Sequence, residues 1–500
     1  MDHQTLSDYG EKIVNRIKEL IQKKEIYLLY LERDEENVPS EYIKEIATIK
    51  RFLECWCADE KFREAVESNP TVACQAWGFD LDPVTMELRP LWDNEMGIVE
   101  NPSIHVLRYK AFIYEKLTHR NKIRENSNDS YEAYNEWRSR QMRRCENQLS
   151  YFISKSIVHA PFCIELSQGC SVGCWFCGIS APKLEDLFLY TEENKQLFKG
   201  VTLVLKELFG EAAGKGFCYW ATDPFDNPDY EKFMLDFEQI VGVFPQNTTA
   251  LALRDIDRTR AYLKLSRQFP GFVDRFSLLS LKQVHKVFDH FTPEELLYVE
   301  LVTQNKENIL HKSRAGRAIE KEQKRKKPAQ GGDQLSDGTI ACVSGFLINM
   351  VSREIKLITP CMASEKWPLG YIELEKGQFN TLEEFKALAF GMVHRHMKKM
   401  PLEKEPLQFY HYLDVNIDQQ SIHFQGLEIN RSFPKTAALA RIVECLMERT
   451  YSTEELYDQL WEEGIQIYET SFAIYQLLNN GLLDLEPSLE QLVNETVEMV

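Results

Sequence analysis

The feature that most constrains this chain is Cys170-Ser-Val-Gly-Cys174-Trp-Phe-Cys177, three cysteines within eight residues. With 12 cysteines in 500 residues, such a CxxxCxxC arrangement is expected by chance roughly 0.007 times per chain. Structural zinc takes four tetrahedral ligands, commonly from paired CxxC units. Here the next cysteine downstream is Cys218, and no His lies between 160 and 284. Three thiolates on one loop suit a cubane iron–sulfur cluster with one iron left open to a ligand. Gly169 and Gly173 let such a loop wrap tightly. Incidental core cysteines and a zinc site are the competing readings.

The surroundings of the triad read as β/α architecture. Apolar, β-rich runs occur at Phe162–Leu166, Phe217–Trp220, Thr249–Leu253, Val273–Leu279 and Tyr298–Val302. Helical patterns at Glu192–Phe209 and Ile256–Gln268 lie between them. The triad follows the first run, at the carboxyl end of a strand, where ligands bind in such folds. Residues 1–150 read as mostly helical, with apolar spacing over Glu11–Leu31 and Glu41–Cys57. A hairpin is expected at Thr339–Met350 and Glu354–Thr359, followed by a connecting extension over 376–420. From 421 on, a strand at Ser421–Ile429 and helices at Ala437–Arg449, Thr453–Glu463 and Glu469–Asn479 resemble a winged helix.

Charge and composition narrow the function. Lys+Arg 59 against Asp+Glu 77 leaves a net charge of −18, unfavourable for nucleic acid. Residues 435–486 hold three Lys/Arg and ten Asp/Glu, so the C-terminal domain suits a peptide better than DNA, and a purely structural bundle is the alternative. His311–Pro328 holds eight Lys/Arg and two Glu, either a solvated loop or a lid for an acidic peptide. No run of eighteen apolar residues suggests a membrane span. The start of the chain has no secretory pattern, so a cytoplasmic protein without disulfides is expected.

The triad spacing, with Phe176 just before the last cysteine, resembles the radical S-adenosylmethionine (SAM) superfamily. That resemblance implies one [4Fe–4S] cluster on Cys170, Cys174 and Cys177, with SAM chelating the open iron. It also implies a fold: a partial (β/α) barrel with a helical N-terminal region and a small winged-helix-like C-terminal domain. Ala221-Thr222-Asp223-Pro224 stands where the family has Gly-Gly-Glu-Pro, which places Thr222 and Asp223 at the SAM amino group. The segment departs from the family by lacking both glycines and by shortening Glu to Asp. Arg275-Phe276-Ser277 stands where the family contacts the ribose, which assigns Arg275 and Ser277.

The run Leu357-Ile-Thr-Pro-Cys361-Met-Ala-Ser-Glu-Lys-Trp-Pro-Leu-Gly-Tyr371 is similar to a segment of radical SAM peptide epimerases, especially those of proteusin maturation. The implied reaction converts selected L-residues of a ribosomal precursor peptide to D-residues. Cys361 would be the hydrogen donor and Cys342 the reserve. The other seven cysteines are read as packing residues. An external one-electron reductant such as flavodoxin is implied, with neither nucleic acid nor membrane as partner. Phe52-Leu53, Asp59, Phe62-Arg63, Asn69-Pro70 and Gly78-Phe79-Asp80-Leu81-Asp82-Pro83 resemble the nitrile-hydratase-like leader of such precursors, with a capping helical bundle as the plainer alternative. Other radical peptide modifications, thioether or carbon–carbon crosslinking, are the rival reactions. A zinc-binding winged-helix regulator is the rival of another class.

Overall fold

The computed structural model describes residues 3–29, 37–93, 99, 101–125, 132–269, 273–325 and 329–486. In chain order, helices α1 (His3–Gln22), α2 (Ser40–Ala58), α3 (Glu60–Ser68), α4 (Pro70–Ala76), α5 (Ile104–Glu125), α6 (Glu132–Gln148) and α7 (Tyr151–Ser156) come first. Strand β1 (Ala160–Glu165), α8 (Glu192–Phe209), α9 (Tyr230–Val241), β2 (Thr248–Thr249), α10 (Ile256–Ser266), β3 (Asp274–Leu278), α11 (Leu281–His290) and β4 (Val299–Thr303) follow. Then come α12 (Arg317–Gln323), β5 (Val343–Asn349), β6 (Glu354–Pro360), β7 (Tyr371–Gln378) and α13 (Leu382–His396). The chain closes with β8 (Asp414–Ile417), β9 (Ser421–Gln425), β10 (Asn430–Pro434), α14 (Ala437–Glu448), α15 (Thr453–Glu462) and α16 (Ile467–Asn479). No described helix is long and apolar enough to cross a membrane.

These elements form two compact units that interleave along the chain. One unit takes 1–126, 246–312 and 327–334; the other takes 127–245, 313–326 and 335–500. In the first, β2, β3 and β4 form a parallel sheet. Helix α2 covers the outer edge of β4: Lys50 Nζ donates to the Val299 carbonyl at 2.6 Å, and Glu54 Oε1 accepts from Leu301 N–H at 3.3 Å. These side chains occupy an edge otherwise open to a further strand. The leader-like stretch spans the end of α2, all of α3 and α4, and the turn that follows α4. Asp59 caps α3, and Asn69 caps α4 with Pro70 in its first turn. Phe52, Phe62 and Trp92 form its core with Phe79 packed against them.

In the second unit the sheet order is β1-β5-β6-β7. The β5–β6 hairpin is present, and β5 pairs parallel to β1, Phe162 facing Phe346. Local pattern carries no information on that long-range pairing. The run 217–220 makes a single parallel bridge, Phe217 to Cys163, rather than a strand, and Cys163 Sγ donates to the Tyr219 carbonyl at 2.7 Å. Among the described residues no sheet closes on itself. The C-terminal part has the sheet β8-β9-β10 and helices α14 to α16 around a core of Ile442, Leu456, Ile474 and Leu477.

Candidate functional site

The triad loop leaves β1 and is fastened at several points, all within the second unit. Gly169 has φ +82°, and a Cβ there would lie 2.1 Å from the Lys183 carbonyl oxygen. Only glycine allows that approach. It lets Cys170 N–H bond the Pro182 carbonyl at 3.0 Å. Asp226 accepts from Ser171 N–H at 2.9 Å and from its hydroxyl at 2.6 Å. At the far end, Arg317 N–H donates to the Cys177 carbonyl at 3.0 Å, and Arg317 Nη1 donates to the Cys174 carbonyl at 2.8 Å. Its Nη2 reaches the Ala181 carbonyl. Gly316, φ +53°, permits this contact: a Cβ there would lie 2.4 Å from the Gly178 oxygen.

Arg317 belongs to the basic stretch, so that segment is more than a solvated run. Arg325 from the same stretch lies over the Trp175 ring at 4.7 Å, and Trp175 meets Phe176 edge to face at 5.5 Å. Lys326, Lys327 and Pro328 lie outside the described residues.

The three thiols are half-buried. Burial pushes Cys170 up to about 11 and Cys174 up to about 12, and the nearby Asp223 carboxylate adds to both shifts. A bound metal reverses this tendency by favouring thiolate. Among the described residues no group of three or more His, Cys, Asp or Glu converges on a single metal ion. A cubane makes a different demand, because each thiolate takes its own iron. The donor set, three soft thiols on one glycine-cradled loop, is compatible with such a group.

Asp223 is buried beside Cys170 and Cys174 and caps the turn Pro224–Asp226, accepting from Phe225 N–H at 3.0 Å. Thr222, half-buried, precedes it. Arg275 and Ser277 lie on β3 in the first unit, where Arg275 Nε donates to Glu300 at 2.9 Å.

Glu165, at the end of β1, escaped the sequence reading. It is 6% exposed. It accepts from Ala221 N–H at 2.6 Å and from Asn349 Nδ2 at 3.0 Å, tying the 221–223 turn to β1 and β5. Burial pushes its carboxyl up to about 7 against the pull of those two bonds. The only sequence signal for it is an acid inside an apolar strand.

The two candidate donor thiols sit differently. Cys361 is fully buried with Trp367 and Ile372, and burial holds its thiol protonated despite nearby Arg144. Thr359, on the same face of β6 by alternation, accepts from Arg144 at 3.3 Å, so this face looks toward α6. Cys342 is half-buried and packs on a cluster of Cys163, Phe217 and Tyr371 that also receives Trp220 and Ile179, the latter two residues beyond Cys177.

No family model and no solved structure matches the chain. A protein of Sinorhizobium fredii, called "Uncharacterized protein y4wI", is 34% identical over 453 residues, 88% of this chain and 87% of the relative. The chain belongs to the y4wI family. That name states no activity, and the chemistry must be argued from the residues.

Proposed function

We propose that this chain is a radical SAM enzyme that epimerises selected residues of a ribosomal precursor peptide. The observation that carries the reading is the triad loop, fastened by Gly169, Asp226 and Arg317, with Asp223 beside two of its three thiols. When bound, a [4Fe–4S] cluster with SAM supplies a 5′-deoxyadenosyl radical able to remove a Cα hydrogen. The chain's own part is to hold that group on Cys170, Cys174 and Cys177, and to offer Asp223 to the SAM amino group. A thiol then returns hydrogen to the opposite face of the planar carbon. Cys361 is the donor by its sequence context, and its protonated state suits the role. The greater exposure of Cys342, and its packing near Ile179, support it as the alternative. Exposed Tyr468 and Phe472, one turn apart on α16 in an acidic domain, support peptide binding there.

The test is incubation with a precursor peptide in D₂O. Epimerisation adds one deuterium, about one mass unit, per inverted residue, whereas crosslinking removes two hydrogens. A reconstituted protein that cleaves SAM but gives no α-deuterium removes the epimerase reading. Cys361→Ala is expected to cleave SAM and leave the peptide L; undiminished inversion in that variant moves the donor role to Cys342.

A further inference from the structure

Cys145 carries no sequence motif, yet the fold gives it a specific place. It sits on α6, fully buried, and its Sγ donates to the Pro360 carbonyl at 3.3 Å, the group bonded to Cys361. The Cys361 thiol lies within electrostatic range of it. On its other side, Cys145 forms a cluster with Leu149 and Ile157, against which Cys342 and Met362 pack. Cys145 is thus next to Cys361, and the cluster it belongs to also meets Cys342. Arg144 Nη2 stands over the group, 3.7 Å from Cys145 Sγ, and also reaches the Pro360 carbonyl. A buried guanidinium beside a thiol lowers the cost of negative charge on its sulfur. A cavity lined by Arg144, Thr359, Ile372, Tyr410 and Glu486 adjoins this group.

We propose that Cys145 is the resolving thiol for the cysteine that returns hydrogen, a role that rests on the epimerase reading above. Each hydrogen returned leaves a thiyl on the donor, and the donor must be restored before the next turnover. The Cys145 thiol releases its proton to solvent, and its sulfur bonds to the thiyl sulfur to form a disulfide radical anion. That species gives one electron to an oxidised one-electron carrier of the flavodoxin class and becomes a neutral disulfide. An external dithiol then returns two electrons and two protons by thiol–disulfide exchange and leaves as its own disulfide. The side of approach proposed for that dithiol is the adjoining cavity, whose wall residue Arg144 separates it from the buried sulfurs.

Two measurements test this on the full chain. Native protein treated with diamide, then alkylated and mapped, is expected to yield a disulfide joining Cys145 to Cys361 or Cys342; a map with Cys145 reduced overturns the proposal. With a precursor peptide that the wild type inverts repeatedly in dithiothreitol, Cys145→Ser is expected to stop after one D-residue per chain while SAM cleavage persists. Repeated inversion by Cys145→Ser, equal to wild type and to a Cys445→Ser control, overturns the resolving role and leaves the epimerase reading standing. No D-residue from the wild type itself overturns both.

Discussion

Glu165→Gln separates the charge of the buried carboxyl from its shape. The carboxyl is raised from 4.5 to about 7, a span of about 2.5 pH units, chiefly by burial. At about 1.4 kcal/mol per unit, the group's contribution changes by about 3 kcal/mol. The folded state binds the proton more tightly than the unfolded state. Stability from this group is therefore fully present below pH 4.5 and is lost as pH rises to 7. Lys356, Glu354, Cys163 and Tyr371 are the other titratable groups facing it. Gln keeps the acceptor for Ala221 N–H but turns an amide toward Asn349 Nδ2. Losing that bond costs about 1 kcal/mol at every pH. Urea unfolding at pH 4 and pH 8 should then show the variant less stable at pH 4 and more stable at pH 8. The wild-type-minus-variant difference should move by about 3 kcal/mol. A difference that stays within 1 kcal/mol across that range refutes the argument that Glu165 is held neutral by burial.

Two further substitutions test the loop. Gly169→Ala forces a Cβ against the Lys183 carbonyl and should abolish iron retention after anaerobic reconstitution. Gly173→Ala, at φ +64° with nothing within 4 Å of a Cβ, should cost only about 1–2 kcal/mol of backbone strain and keep its iron. Arg317→Met frees the Cys174 and Ala181 carbonyls and should speed loss of iron to a chelator, with the far-ultraviolet circular dichroism unchanged.

What could be read from the sequence follows from how local each determinant is. Helix α8 matches its expected bounds because Thr191 caps its start, accepting from Asn194 N–H, and Gly210 at φ +55° ends it. The triad is legible because three thiols at fixed spacing are rare and adjacent. The pairing of β5 with β1 joins residues far apart in the chain, and no window contains both. Arg317 was hidden by its company, since one clamp among eight cations looks like a solvated run. Glu165 and Asp226 each hold a backbone N–H about 55 residues away, with one side-chain bond beside it, for which no spacing rule exists. Cys145 lacked a motif, and its neighbours come from the ends of β5 and β6.

The central claim is that Cys170, Cys174 and Cys177 hold a cluster. Iron, sulfide and zinc should be quantified after anaerobic reconstitution of the wild type and of the triple Cys→Ala variant. About four irons and four sulfides per chain are expected in the wild type and none in the variant. Bound zinc without iron, or equal iron in both proteins, would contradict that claim.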